Sequence, residues 1–241
     1  MKELILAIQF LTRLPTPQVH NFQEQWLVDS ARWFPFVGFI IGLCLAIIGW
    51  SSAFIDVWLA AWACVLCWIL ITGGLHLDGL ADVSDALGAA HRDKSRLLAA
   101  MKDPHLGSFG VLSLIVAVVT KLVLLMLIAK HQAWFALILI PAWARLGIYD
   151  WQRLSSLTEG LAERFTWHIP YRAATAWLLV LVIASYWLAP ILLLAPLFIV
   201  LYRRWLISTL GGVSGDCLGA GVEVVEMCLL LSMAISFYFF S

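Results

Sequence analysis

Three aspartates follow one of the most apolar stretches of the chain: Asp78, Asp82 and Asp85 lie in GGLHLDGLADVSDAL, Gly73 to Leu87, directly after WLAAWACVLCWILIT. On a helix, spacings of four and three place the three carboxylates within a sector of roughly 60° over two turns. Like charges so placed repel one another, and a membrane boundary adds a desolvation cost. A divalent cation reverses the sign of both effects. Hard oxygen ligands with no cysteine or second histidine nearby select magnesium, with manganese as a substitute, over zinc. The bland alternative is a solvated acidic face at a helix end, against which Gly73, Gly74 and Gly79 point to a sharp turn and close backbone approach. His76, at the entrance of this helix, is open to either a catalytic role or a hydrogen bond to backbone.

Two further clusters have related chemistry. MKDPHLGSFG, Met101 to Gly110, holds Lys102, Asp103, His105 and Gly107 at a turn or helix entrance marked by Pro104. Acidic and basic groups at such a place suit metal together with phosphate. TLGGVSGDCLGAGVEVVE, Thr209 to Glu226, is glycine-rich at Gly211 and Gly212 and then places Asp216, Glu223 and Glu226 on one helix face. Glu223 and Glu226 fall inside an apolar run, where an ionisable residue marks either a functional site or an ion pair, here with Arg145 or Lys121. Arg145, Arg203 and Arg204 are candidates for holding phosphate. Three glycine-bearing acidic clusters supplied with basic groups describe phosphoryl transfer, in which a metal neutralises charge on phosphate oxygens and a carboxylate accepts the proton of an attacking hydroxyl. The expected metal ligands are Asp78, Asp82 and Asp85 with Asp103 or Asp216. As proton acceptor, Asp85 or Asp216 is preferred to His76 or His105, with Asp82 the residue on which activity depends most.

The elements that must position these groups are membrane helices. The chain has 241 residues, 63% hydrophobic and 12% charged, with a mean hydropathy of +0.94, about half the charge of a soluble protein. The expected fold is an all-α polytopic bundle in a lipid bilayer, read as one domain over 1–241, with seven spans near Trp33 to Trp50, Ala53 to Thr72, Phe109 to Ala129, Ala133 to Tyr149, Ala173 to Ala189, Pro190 to Tyr202 and Leu218 to Phe240. Pro196 interrupts the sixth, which is short enough to be a broken or re-entrant helix. Lys and Arg concentrate in the loops that share a side with the N-terminus, which predicts a cytoplasmic N-terminus, a periplasmic C-terminus and all three clusters on the cytoplasmic face. The formal net charge of zero leaves no footprint for nucleic acid. Cys64 and Cys67 form a CxxC inside an apolar run, where packing is the expected role. No cleavable signal is expected from the short apolar run Leu4 to Leu11. The lipid-facing runs leave surface for a homo-oligomer.

TGGLHLDGLADVSDAL (Thr72 to Leu87), MKDPHLGSFG, TLGGVSGDCLGAGVE and FLTRLPTP (Phe10 to Pro17) resemble, in order, the signature segments of the cobalamin synthase family, the adenosylcobinamide-GDP ribazoletransferases. The resemblance implies a magnesium-dependent enzyme of the bacterial inner membrane that completes the nucleotide loop of cobalamin. The 3′-hydroxyl of α-ribazole, or of its 5′-phosphate, attacks the cobinamide-linked phosphorus of adenosylcobinamide-GDP, and GMP leaves. The family's acidic motif is similar to the DxxDG of CDP-alcohol phosphotransferases; Asp82 and Asp85 match its aspartates, and Ala86 stands at its glycine. Two rivals predict other features. A CDP-alcohol phosphatidyltransferase would complete DxxDGxxAR, which Ala86 to Ala90 do not supply, and a cation-coupled transporter would use Glu223, Glu226 and Arg145 as a midplane ion site.

Overall fold

The computed structural model describes residues 1–90, 97, 101, 105–157 and 170–240. Lys102 and Asp103 therefore lie outside the described residues. Helices α1 (Lys2–Leu11), α2 (Glu24–Ser30), α3 (Phe34–Ala53), α4 (Val57–Thr72) and α5 (Leu75–Ala90) are followed by α6 (Ser108–Lys130), α7 (Trp134–Trp151), α8 (Tyr171–Leu188), α9 (Ala195–Trp205) and α10 (Gly215–Phe240). Among the described residues, extended backbone pairs at a single bridge, Ser156 with Val213. The chain is all-helical, as expected for a backbone that must satisfy its own hydrogen bonds in lipid.

Among the described residues, five segments are long and apolar enough to cross a membrane: Glu24–Ala53, Ser108–Lys130, Tyr171–Leu188, Pro190–Leu210 and Gly215–Phe239. A sixth exists only if α4 and α5, bent by 87° at their junction, are taken as one broken span. The expected seven crossings are thus not all distinct on length and apolarity. Helix α4 has 16 residues and stops at Gly73, and α5, with its three aspartates, turns away from it across the end of the bundle. In α7, Pro141, Arg145, Asp150 and three tryptophans dilute the apolar run, and nearly every residue is covered by protein instead of facing outward. Pro196 does not break the sixth run: it sits in the first turn of α9, behind a short 3-10 turn, Pro190–Leu194, where a missing N–H costs nothing.

Helix α7 packs against α3, α8, α9 and α10. Gly38 and Gly42 of α3 press against its backbone, so that a Cβ at Gly38 would come within 2.5 Å of Ala142 Cα; small residues four apart allow this closeness in membrane helices. The polar tips of its aromatic side chains are satisfied. Trp143 Nε1 donates to Ser185 Oγ at 2.9 Å, Tyr149 Oη to Ala31 O at 3.0 Å and Trp151 Nε1 to Ile199 O at 3.0 Å. By contrast, Ile115, Val116 and Val119 of α6 and Leu179, Val180 and Ile183 of α8 are exposed, an apolar outer surface of the kind a membrane protein presents.

Candidate active site

The α4–α5 junction sets the geometry. Gly73 and Gly74 take φ of +62° and +72°, a left-handed pair that a side chain would strain. The Gly73 N–H closes on Ile69 O, that of Gly74 on the same carbonyl at 3.2 Å, and Asp78 N returns to Gly74 O at 2.9 Å as α5 begins. The chain thereby turns through 87° and presents Asp78, Asp82 and Asp85 along one face.

Asp216, in the first turn of α10, joins them. Gly79 makes room for it, since a Cβ there would lie 2.7 Å from Asp216 O. Asp82 is where the crowding is felt. Partial burial first, then the charges of Asp216, Asp78 and Asp85, push its carboxyl up to about 6. Ser214, two residues before, donates from its Oγ to Asp216 Oδ2 at 3.5 Å. Among the described residues, no three His, Cys, Asp or Glu side chains enclose an ion by themselves. Magnesium does not require such a cage, because it keeps several waters and is held by one or two carboxylates plus substrate phosphates. Asp78, Asp82 and Asp216 have the hard oxygen chemistry for that role.

Asp85 is engaged differently from the expected metal ligand or proton acceptor. Its Oδ2 accepts from Gly107 N at 2.7 Å and its Oδ1 from Gly110 N at 2.8 Å. Gly107 is the N-cap position of α6 and has no side chain with which to cap it; Asp85 reaches across from α5 to do so, as a carboxylate at a helix N-terminus does well. A Cβ on either Gly107 or Gly110 would collide with that carboxylate. Gly107 and Gly110 of the MKDPHLGSFG cluster are thereby fastened to the aspartate helix through their backbone amides. His105 is exposed just ahead of this junction.

His76 lies on the opposite face of α5 from the carboxylates and is 3% exposed. Its Nδ1 is 3.4 Å from Arg145 Nη2; a guanidinium only donates, so Nδ1 is the acceptor nitrogen. Arg145 Nη1 pairs with Glu226 Oε1 at 3.0 Å, and Lys121 Nζ lies 2.7 Å from both Glu226 Oε2 and Glu223 Oε2 and 4.0 Å above the Trp68 ring. Of the two readings of Glu223 and Glu226, ion pairing holds, and it holds with both predicted partners. His76 belongs to this buried network, and Arg145 is occupied there instead of facing a phosphate.

The glycine-rich cluster divides in two. Gly211 takes φ of +75° after a π-turn, Leu206–Leu210. Gly212 lies against Ser155 O, while Leu157 N and Val213 N exchange bonds of 2.9 Å with Val213 O and Ser155 O. Arg203 Nε is 3.4 Å from Asp150 Oδ2, and Arg204 is exposed. Gly212, Val213 and Arg203 thus dock residues 150–157 onto the loop leading to Asp216, and among the described residues no hydrogen bond or ion pair joins Arg203, Arg204, Gly211 or Gly212 to Asp78, Asp82, Asp85 or Asp216.

One residue absent from the expected site belongs beside it. Arg13 N donates to Ile71 O at 2.6 Å, and the Arg13 side chain runs over the bare Gly73, whose Cβ would sit 2.5 Å from Arg13 Nε. In the sequence Arg13 stands within FLTRLPTP, which carries the family resemblance without assigning it a role.

With this geometry in place, the relatives of the chain become informative. Residues 3–234 match the family described as cobalamin-5-phosphate synthase. An adenosylcobinamide-GDP ribazoletransferase of Laribacter hongkongensis is 52% identical over 96% of both chains. One of Novosphingobium aromaticivorans is 44% identical over 98% of this chain and 97% of its own, and one of Clostridioides difficile is 31% identical over 100% of both. No solved structure matches. By the extent of the family match and the identity of these relatives, the chain belongs to the cobalamin-5-phosphate synthase family.

Proposed function

We propose that the chain joins adenosylcobinamide-GDP to α-ribazole or its 5′-phosphate, giving adenosylcobalamin or its 5′-phosphate and GMP. The observation that carries this is the family match over residues 3–234, a range that takes in α5, the start of α6 and the first turn of α10. The 3′-oxygen of the acceptor forms a bond to the cobinamide-linked phosphorus as the bond from that phosphorus to the bridging oxygen of GMP breaks. The acceptor's proton passes to a carboxylate.

Asp78 and Asp82 are the residues to hold magnesium, with manganese as a substitute. A bound divalent ion supplies electrostatic stabilisation of the charge that develops on the pyrophosphate oxygens. Asp216 faces the same site from a different helix and is the group to take the proton. Asp85 and His76 act from behind: one ties α5 to the entrance of α6, the other seats α5 on the core. Gly107 lies at that entrance and His105 just ahead of it, where donor phosphates would approach.

Arg13, Arg32, Arg203 and Arg204 gather at the end of the bundle that carries the aspartates, and Lys130 ends α6 at the other. By the excess of positive charge on cytoplasmic loops, the site faces the cytoplasm from the inner membrane, with the N-terminus on that side. The test is GMP release by purified protein in nanodiscs, with adenosylcobinamide-GDP and α-ribazole 5′-phosphate, with magnesium and with EDTA. Release that requires both substrates and the metal supports the assignment; folded protein that releases none refutes it.

A further inference from the structure

The FLTRLPTP segment is the motif that the carboxylate site leaves unused, and the structure gives it a defined place. Thr12 Oγ1 closes the end of α1 by donating to Ile8 O at 2.7 Å, and Gln9 Nε2 pins the following strand of chain through Thr16 Oγ1 at 2.9 Å and Pro17 O at 3.2 Å. With its amide on Ile71 O, Arg13 is fixed at the α4–α5 turn. Among the described residues its guanidinium makes no ion pair or hydrogen bond. Arg13 lines a cleft of about 530 Å³ beside the Gly73–Gly74 turn, whose other walls are Asp78 and the apolar side chains of Leu75, Leu77, Leu114 and Val118.

We propose that this cleft is the acceptor subsite, with Arg13 holding the 5′-phosphate of α-ribazole 5′-phosphate and the apolar wall receiving its benzimidazole base. The assignment rests on the function proposed above, and three observations favour the acceptor over the donor. The volume lies within the roughly 300–1,000 Å³ typical of small-ligand pockets, which suits a single nucleotide and not a corrinoid carrying one. Guanine would leave its hydrogen-bonding edge unpaired against leucine and valine, at a cost, whereas benzimidazole presents an apolar edge. A single forked cation matches one phosphate monoester. Asp78 borders the cleft and also belongs to the aspartate face, so an acceptor anchored at Arg13 lies next to the reacting centre. Arg13 is on this account a specificity-determining residue: it distinguishes the phosphorylated acceptor from the free nucleoside.

The experiment compares wild-type protein with Arg13→Gln and Arg13→Lys in nanodiscs, measuring kcat and KM for α-ribazole 5′-phosphate, α-ribazole and adenosylcobinamide-GDP. Loss of a charge-assisted phosphate contact should raise KM for the phosphorylated acceptor about 10- to 100-fold in Arg13→Gln. KM for α-ribazole and for the donor should stay within about twofold, with partial recovery in Arg13→Lys. Val118→Phe, which crowds the wall and leaves Arg13 intact, should raise KM for both acceptors and not for the donor. Equal rises for both acceptors in Arg13→Gln, or a rise confined to the donor, would overturn the assignment. So would competition by phosphatidylglycerol, absent in phosphatidylcholine discs, that disappears in Arg13→Gln, because the cleft would then be a lipid headgroup site. Calorimetric binding of α-ribazole 5′-phosphate, wild type against Arg13→Gln, separates this inference from the reaction: Arg13-dependent binding by a protein that releases no GMP upholds the subsite and refutes the activity, and Arg13-independent binding overturns the subsite.

Discussion

Replacing Asp85 tests whether this residue is a cap or a reacting group. In the structure both of its oxygens accept backbone N–H bonds, from Gly107 at 2.7 Å and Gly110 at 2.8 Å. A hydrogen bond to an ionised partner contributes about 1.5–3 kcal/mol, and this half-buried site belongs at the lower end, so two bonds together stabilise the start of α6 by about 3 kcal/mol. Asp85→Ala removes both. Asp85→Asn keeps one acceptor but turns an NH2 group towards an N–H, so it should lose nearly as much despite its similar shape. By the conversion of about 1.4 kcal/mol per decade, the amides of residues 107–112 should exchange with solvent roughly 100-fold faster in either variant, while those in the middle of α6 change little. Gly110→Ala approaches the same contact from the other side: its methyl would occupy the space of the Asp85 carboxylate, so it should reproduce the faster exchange with all four aspartates intact. Turnover should fall in all three variants, and the magnesium concentration for half-maximal activity should stay within about threefold, because the ligands proposed are Asp78 and Asp82. Unchanged exchange at residues 107–112 in Asp85→Ala, or a large rise in the magnesium requirement with normal exchange, would refute the capping role and return Asp85 to the metal.

Asp82→Asn should lower magnesium-dependent turnover by about 10³-fold or more with thermal stability retained or raised, since it relieves a crowded negative charge; activity assays and thermal unfolding in detergent check both. Asp82 sits at about 6, and protons compete with the metal for its charged form. Apparent magnesium affinity should therefore be flat above about pH 7 and fall as pH drops through 6, by nearly tenfold per unit below it, as read by metal titration at fixed pH. Glu226→Gln leaves Lys121 and Arg145 facing one acid in place of two, and should destabilise the fold by about 3–5 kcal/mol, seen as a drop in unfolding temperature. Gly79→Val should separate α5 from α10 at Asp216 and reduce turnover more than it reduces stability, measured by the same two assays.

The carboxylate face was legible because it is local: spacings of four and three within one helix need nothing beyond the helical period, and α5 spans Leu75–Ala90 as that period requires. Which carboxylates were already engaged was not legible. Asp85 is bound by amides 22 and 25 residues away, and a backbone N–H has no side-chain signature. His76 is similar, since its partner Arg145 is 69 residues distant and the histidine shares a helix with the aspartates while facing the other way. The span count suffered from the same limitation. A hydropathy scan adds up residues along the chain and is blind to the left-handed pair at Gly73 and Gly74 that ends one helix and turns the next through 87°. The acids of α10 were easier, because charges in a bilayer must find opposite charges, and Lys121 and Arg145 were the only bases inside the expected spans. Arg13 had no partner to betray it in sequence; only the fold shows what it lies against.

Those intramembrane charges also decide between the enzyme and the carrier. A cation-coupled transporter needs acids whose charge is left over for the transported ion. Here Glu223 and Glu226 are matched by Lys121 and Arg145 at 2.7–3.0 Å, and both bases are buried. Two negative and two positive charges sum to zero, so the network needs no further ion. Such a buried group contributes little net stability, and breaking it is costly; what it does provide is a fixed register. Lys121 comes from α6, Arg145 from α7 and both glutamates from α10, with Trp68 of α4 beneath the ammonium. Arg145 then meets His76, two residues before Asp78. Asp78, Asp82 and Asp216, which make no ion pair among the described residues, lie beyond it, on the far face of α5 and at the first turn of α10. Charge is thus neutralised within the apolar helices, while the carboxylates proposed to meet magnesium and phosphates stand outside that network at the end of the bundle.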